Sequence, residues 1–324
     1  MKPETKIKIA INGFGRIGRN LFRLLLNHPT IEVVAINDIA DNKTMAHLIK
    51  YDSIHGVLNQ EVSFSDDSIL INKKAYLFFH EKEIKNLDWK SLNVDIVIES
   101  TGKFKSFEEI NQHILAGAKK VILSAPSEVD EIKTVVLGVN EHILDGNETI
   151  ISNASCTTNN AAPMIKIIQE LCEIEQAYIT TVHSYTTDQS LHDQPHKDLR
   201  RARGAAQSIV PTTTGAAKAL TKIFPELDGK IGGCGIRVPV TDFFGPVTFN
   251  FQVNCITMSA LALFLNLSIG DSDISAPFLE VIKASSALSP SRDFISDSRF
   301  FNGKPLSAIP FKINSFISVN FPLC

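Results

Sequence analysis

No stretch of this sequence approaches the roughly 20 consecutive apolar residues that span a bilayer; the Leu-rich run Ala260–Leu267 is far too short, so a membrane-spanning chain is not expected. A secretory leader is not expected either, because Met1–Ala10 is charged and then runs straight into an apolar strand, with no h-region before a cleavage site. Cysteine is sparse: Cys156, Cys172, Cys234, Cys255 and Cys324 are an odd set without a C-x-x-C pair. That pattern argues against a disulfide framework and for a reducing compartment, so the expected location is the cytoplasm. Charge of one sign is also lacking. A net charge of −3 over 324 residues provides no field for holding nucleic acid or an anionic membrane. The partners expected are small molecules and other copies of the chain.

What is present is length and alternation. A chain of 324 residues exceeds one ordinary core, and two domains are expected. Short aliphatic runs alternate with longer periodic ones: Ile7–Ile11, Arg16–Leu26, Val33–Ile36 and Thr44–Ile49 read as strand, helix, strand, helix. Further β-like runs follow at Val94–Glu99, Val121–Leu123 and Val135–Gly138, with an amphipathic stretch at Phe107–Ala116. This order predicts an α/β, doubly wound parallel sheet over residues 1–153. A second domain, 154–324, opens with a helix running to about Leu171 and a β-branched run Tyr178–His183. A long polar and basic loop, Ser184–Arg203, comes next; connections of that length without periodicity are uncommon unless functional.

Three groups of residues carry chemistry. Gly13, Gly15 and Gly18 form G-x-G-x-x-G between a strand and a helix. Gly13 suits the tight turn, Gly15 a close approach of backbone to pyrophosphate, and Gly18 helix–strand packing, the helix start attracting the phosphate charge. Asp38, 20 residues beyond Gly18 at the end of the second strand, suits the ribose hydroxyls and repels a 2′-phosphate, so NAD is expected over NADP. The plainer readings are a glycine turn and an ordinary strand-end Asp. Cys156 stands in Ser152-Asn-Ala-Ser155-Cys156-Thr157-Thr158-Asn159 just ahead of an amphipathic run, where a helix start favours a thiolate. Alone it would more often be a small buried hydrophobe. His183 ends a strand and opens the long loop, placed as a base on a sheet rim; alone it would more often be structural. Thr186, Arg200, Arg201, Arg203, Thr214, Gly215 and Arg237 offer hydroxyls, amides and guanidinium forks to phosphate oxygens. The loop arginines read equally well as a solvated face or a subunit contact.

Gly-Phe-Gly-Arg-Ile-Gly-Arg, Ser-Asn-Ala-Ser-Cys-Thr-Thr-Asn, Thr-Val-His-Ser-Tyr-Thr-Thr-Asp-Gln, Asp-Leu-Arg-Arg-Ala-Arg-Gly-Ala, Pro-Thr-Thr-Thr-Gly-Ala-Ala-Lys-Ala and Ile-Arg-Val-Pro-Val occur in one order. In that order and spacing the sequence resembles the glyceraldehyde-3-phosphate dehydrogenase family from about residue 7 to residue 240. The resemblance implies a Rossmann domain followed by an α+β catalytic domain with a mixed sheet. It also implies a phosphorylating, NAD-dependent glycolytic enzyme, homotetrameric if its tail permits, acting on glyceraldehyde 3-phosphate and inorganic phosphate. Carried over by motif, Cys156 is the nucleophile and His183 the base, while Arg16, Ile17, Asp38 and Ser124 join the glycines in holding the cofactor. Thr186 and Arg237 hold the substrate phosphate; Ser155, Thr157, Thr214 and Gly215 hold inorganic phosphate. Arg200, or Arg201 beside it, adds a further phosphate contact. No metal is implied.

Beyond Val240 these motifs stop. Residues 241–324 hold 12 of the 20 phenylalanines and Glu280 as their only glutamate, and lack the family's Trp-Tyr-Asp-Asn-Glu-x-Gly-Tyr. An abrupt change of this kind is what a shifted reading frame in the encoding DNA would produce. Within the atypical tail Val247–Val253 still reads as a strand. Three alternatives stand beside the triose phosphate reading: an erythrose-4-phosphate dehydrogenase, which shares the superfamily and the Cys/His pair, and, because of the tail, an inactive NAD-binding or interaction homologue or a product that does not fold stably.

Overall fold

The computed structural model describes residues 6–171, 173–240, 247–254 and 316–319. Cys172, Cys255, Cys324, the run Ala260–Leu267 and most of the atypical tail lie outside the described residues. The chain divides into two compact units, Met1–Asn159 and Asn160–Cys324, a few residues beyond the boundary the sequence suggests.

The first unit begins with β1 (Ile7–Asn12), α1 (Arg16–Leu25), β2 (Ile31–Asn37) and α2 (Asn42–Lys50). The Asp41 side chain caps α2 by accepting from the Thr44 amide. A two-residue ladder, β3 (Tyr51–Asp52) with β4 (Gly56–Val57), leads to β5 (Val62–Phe64), β6 (Ser68–Ile71) and β7 (Lys74–Phe79). The rest comprises β8 (Ile96–Glu99), α3 (Phe107–Leu115), β9 (Lys120–Leu123), β10 (Lys133–Thr134) and β11 (Ile150–Ser152). Ser106 and Glu109 close a capping box at the start of α3.

The sheet order is β10-β11-β9-β8-β1-β2-β7-β6-β5. All pairings from β10 to β7 are parallel, and β7-β6-β5 form an antiparallel edge. Both faces are covered, as a parallel sheet requires. Ile9, Ile11, Val33 and Ile36 face one core with Phe14, Phe22 and Ile49. Ala10, Ala35, Val97 and Val121 face the other with Trp89 and Ile110. The expected doubly wound sheet is therefore present.

One strand differs from the expectation. Val135–Gly138 is not a strand; the short β10 precedes it, and the chain then turns. The Asn140 side chain accepts from Val136 N and donates to Thr134 O, supplying locally the bonds a ladder would have given. Burial of Val135 and Val136 explains their apolar character.

α4 (Cys156–Leu171) crosses the boundary into the second unit, which continues with β12 (Glu173–Ser184), β13 (Val210–Thr212), α5 (Ala216–Ile223), β14 (Ile231–Val238), β15 (Val247–Asn254) and β16 (Phe316–Val319). Its order is β13-β14-β12-β15-β16. β12 runs parallel to β14 and antiparallel to β15, giving the mixed sheet expected of this half. Between Ser184 and Ile209 the chain forms no helix or strand, as the lack of periodicity predicts. The strand expected at Val247–Val253 is found, inside the atypical tail.

Candidate active site

In the first unit, a cleft of about 570 Å³ opens where β1, β2 and β8 end, lined among others by Asn12, Gly13, Gly15, Asp38, Lys82 and Thr101. Ligands of open parallel sheets bind at the carboxyl ends of the strands. Gly13 has φ +95°, and a Cβ there would stand 2.5 Å from Thr101 N. Gly18 lies against Gly13 O, 2.2 Å from where its own Cβ would be. Around Gly15 the space a Cβ would take is open, leaving room at the start of α1 for an approaching anion. These residues fit a dinucleotide pyrophosphate.

Asp38 accepts from Phe14 N at 2.7 Å and from Ala40 N at 3.1 Å, so it ties the glycine loop to the end of β2 while lining the cleft. Of the other expected cofactor contacts, Arg16, Ile17, Gly18 and Ser124 do not line this cleft. Ile17 is exposed on α1, and Ser124 follows β9, its amide donating to Glu99 O. Arg19, which the motif does not single out, donates to Phe14 O at 2.8 Å; burial is the main reason its guanidinium lies below the usual arginine range.

Cys156 is exposed at the first position of α4. Ser155 precedes it as a cap, accepting from Thr158 N at 3.1 Å, with its hydroxyl 2.8 Å from that of Thr158. Ala154 has φ +55° while buried, a left-handed conformation that costs a non-glycine residue about 1–3 kcal/mol. This tight turn delivers the cysteine from β11 to the helix start, where aligned peptide dipoles favour negative charge. No glycine marks the turn, so it is invisible in the sequence.

In the second unit, His183 and Arg237 are register partners near the ends of parallel β12 and β14. Arg237 Nη1 donates to Ser184 O at 3.0 Å and stands 2.5 Å from His183 Nδ1, which is itself 2.8 Å from the same carbonyl. Thr214 and Gly215 form the start of α5, Gly215 at the cap position and Thr214 Oγ1 accepting from Ala216 N. Thr186 follows β12, partly buried.

The two candidate arginines diverge. Arg200 is exposed and its guanidinium grips Asp198 through Nε and Nη2. Arg201 donates to Thr212 Oγ1 through Nε (2.9 Å) and Nη2 (2.7 Å) and pairs with Asp188. Burial pushes the Asp188 carboxyl up, but Arg201 and His196 outweigh it and hold the group below its ordinary value. Arg201, rather than Arg200, is thus packed on β13, beside β14. Among the described residues no group of His, Cys, Asp and Glu could hold a metal ion, and no helix is long and apolar enough to cross a membrane.

Sheet, cleft and glycine loop define a dinucleotide-binding α/β protein followed by a second, mixed-sheet domain. The family model described as glyceraldehyde 3-phosphate dehydrogenase, NAD binding domain, matches residues 7–107, and that family's C-terminal domain matches residues 155–298. The glyceraldehyde-3-phosphate dehydrogenase of Geobacillus stearothermophilus is 54% identical over 234 residues, covering 72% of this chain and 70% of its own. That of Borreliella burgdorferi is 52% identical over 242 residues, 72% of this chain and 71% of its own. Glyceraldehyde-3-phosphate dehydrogenase 2 of Bacillus subtilis is 52% identical over 236 residues, 72% and 69% of the two chains. The chain belongs to the glyceraldehyde-3-phosphate dehydrogenase family, and its cofactor is NAD. The C-terminal match reaches residue 298, well past Val240, where the motif reading stops.

Proposed function

We propose that this chain oxidises glyceraldehyde 3-phosphate in glycolysis, with NAD as hydride acceptor and inorganic phosphate as acyl acceptor, releasing 1,3-bisphosphoglycerate. The observation that carries this reading is Cys156, exposed on the first turn of α4 behind the left-handed Ala154, in a chain of this family. Its thiolate attacks the aldehyde carbon and forms a thiohemiacetal. His183 takes the hydroxyl proton as the carbonyl reforms and hydride departs, leaving a thioester. Bound NAD supplies the hydride acceptor. A phosphate oxygen then attacks the thioester carbon, and Cys156 leaves as thiolate. Thr186 and Arg237 hold the substrate phosphate; Ser155, Thr157, Thr214 and Gly215 hold the attacking one. The enzyme works as a cytoplasmic homotetramer. The erythrose-4-phosphate and inactive-homologue alternatives are not favoured, since the relatives at about half identity are named for the triose phosphate enzyme.

The test is NADH formation, followed by absorbance, with the triose and tetrose phosphates compared. Turnover that needs the triose phosphate and rises with inorganic phosphate supports the reading; no NADH, or preference for the tetrose, overturns it. The same assay separates the arginines. Arg201→Gln is expected to raise the phosphate KM about tenfold through loss of a charge-assisted contact. Arg200→Gln, removing an exposed ion pair, should stay within about twofold. The reverse order would return the role to Arg200.

A further inference from the structure

Four residues from separate segments meet in the interior of the first unit, and of them only Asn12 also lines the cofactor cleft. Asn12 and Glu99 are each 1% exposed; His113 and Trp89 are fully buried. Trp89 Nε1, a donor only, lies 3.0 Å from His113 Nδ1, so that nitrogen must present its lone pair. The imidazole proton therefore sits on Nε2 and is donated to Glu99 Oε2 at 3.1 Å. Asn12 Nδ2 donates to the same oxygen at 2.5 Å. Glu99 Oε1 accepts from the Thr101 amide at 2.8 Å and the Thr101 hydroxyl at 2.5 Å. Four donors thus fill the acceptor sites of one carboxylate.

The network reaches the cofactor cleft on three sides. Asn12 and Thr101 line it and bracket Gly13, whose missing Cβ lies against Thr101 N. With Asn12 Nδ2 committed to Glu99, its Oδ1 must accept, and does so from Asn37 Nδ2 at 2.7 Å. Asn37 in turn exchanges two bonds with the Glu81 backbone, a third part of the wall. We propose that Glu99 is a positioning residue for the cofactor: with His113 held in one tautomer by Trp89, it fixes Asn12 and Thr101 so that the cleft is shaped before NAD arrives. This rests on the cleft being the NAD site.

The arrangement allows little substitution. A glutamine at 99 that still accepts from Thr101 turns its amide hydrogens on Asn12 and His113, both donors. Flipping Asn12 relieves this by facing its amide nitrogen to Asn37 Nδ2; switching the imidazole tautomer relieves it by facing Nδ1–H to Trp89 Nε1–H. Each escape moves the donor clash along the network, and a buried unpaired group carries its full desolvation penalty. The wall then relaxes, and NAD must restore it on binding.

The experiment measures NAD affinity by calorimetry on the full chain, with melting and the emission of Trp89, the only tryptophan, recorded beside it. Glu99→Gln is expected to raise the Kd for NAD about tenfold and shift Trp89 emission, with turnover at saturating NAD nearly unchanged. Should that variant not fold, a pair at His113, outside the cleft, decides the matter. His113→Leu removes the donor to Glu99 and should weaken NAD, whereas His113→Gln can still reach the carboxylate and should bind close to wild type. A folded Glu99→Gln with wild-type affinity, or His113→Leu binding as well as His113→Gln, overturns the proposal alone. A wild-type chain that binds no NAD overturns it together with the cofactor site.

Discussion

Cys156→Ser is expected to abolish NADH formation, by about 10⁴-fold or more, as removal of a nucleophile generally does. The hydroxyl matches the thiol in shape but carries almost no anion at neutral pH, whereas a cysteine thiolate is present at a few per cent even when unperturbed and more at a helix start. Two quantities should stay put. Stability should move by no more than about 0.5 kcal/mol, the range of an exposed substitution, because Cys156 is exposed and the cap on α4 is made by Ser155. NAD affinity should also be retained, since Cys156 does not line the cofactor cleft. Steady-state assay, thermal melting and calorimetry check the three in turn. Turnover that survives the substitution, or loss of NAD binding with it, would remove Cys156 from the role of nucleophile.

The parts of this molecule that could be read in advance are those whose causes are local. Alternating aliphatic residues in β1 and β2, glycines at 13, 15 and 18, and an aspartate after the second strand are set by turn geometry and by which face a side chain takes. The antiparallel edge β5-β6-β7 carries little such signal, because Asp66, Asp67, Lys73 and Lys74 interrupt its apolar residues and much of it is exposed. Val135–Gly138 misleads for the opposite reason: Val135 and Val136 are buried like strand residues, but Leu137 and Gly138 turn out to solvent, and the Asn140 side chain takes up Val136 N and Thr134 O in place of a neighbouring strand.

The candidate site divides in the same way. Cys156 and His183 stand at element ends that the sequence marks. Which of two adjacent arginines turns toward Thr212 depends on a loop of no period, so the sequence does not distinguish Arg200 from Arg201. Glu99, His113, Trp89 and Asn12 are separated by up to about a hundred positions and meet only because β8 lies beside β1 with α3 over them. Nothing in any one segment announces that meeting.

The glycine loop allows the remaining prediction to separate fold from ligand. Gly13→Ala should lose NAD binding and destabilise the first unit together. Its backbone sits at φ +95°, about 1–3 kcal/mol unfavourable for a side chain, and its Cβ would press on main-chain atoms of Ser100 and Thr101 that are held from behind by Glu99. Overpacking of that kind adds about 1–3 kcal/mol, and against a total stability of roughly 5–15 kcal/mol the sum is large enough to lower the melting temperature by many degrees. Gly15→Ala should behave differently. At φ −69° alanine is comfortable, and nothing lies within 4 Å of its Cβ. The melting temperature should hold or rise slightly, because the unfolded chain loses freedom, while NAD affinity falls because the methyl occupies the space through which a pyrophosphate approaches the helix start. Melting and NAD calorimetry on the two variants test this directly. If Gly15→Ala melts as low as Gly13→Ala, Gly15 serves the fold; if it binds NAD as wild type does, the pyrophosphate does not pass over it.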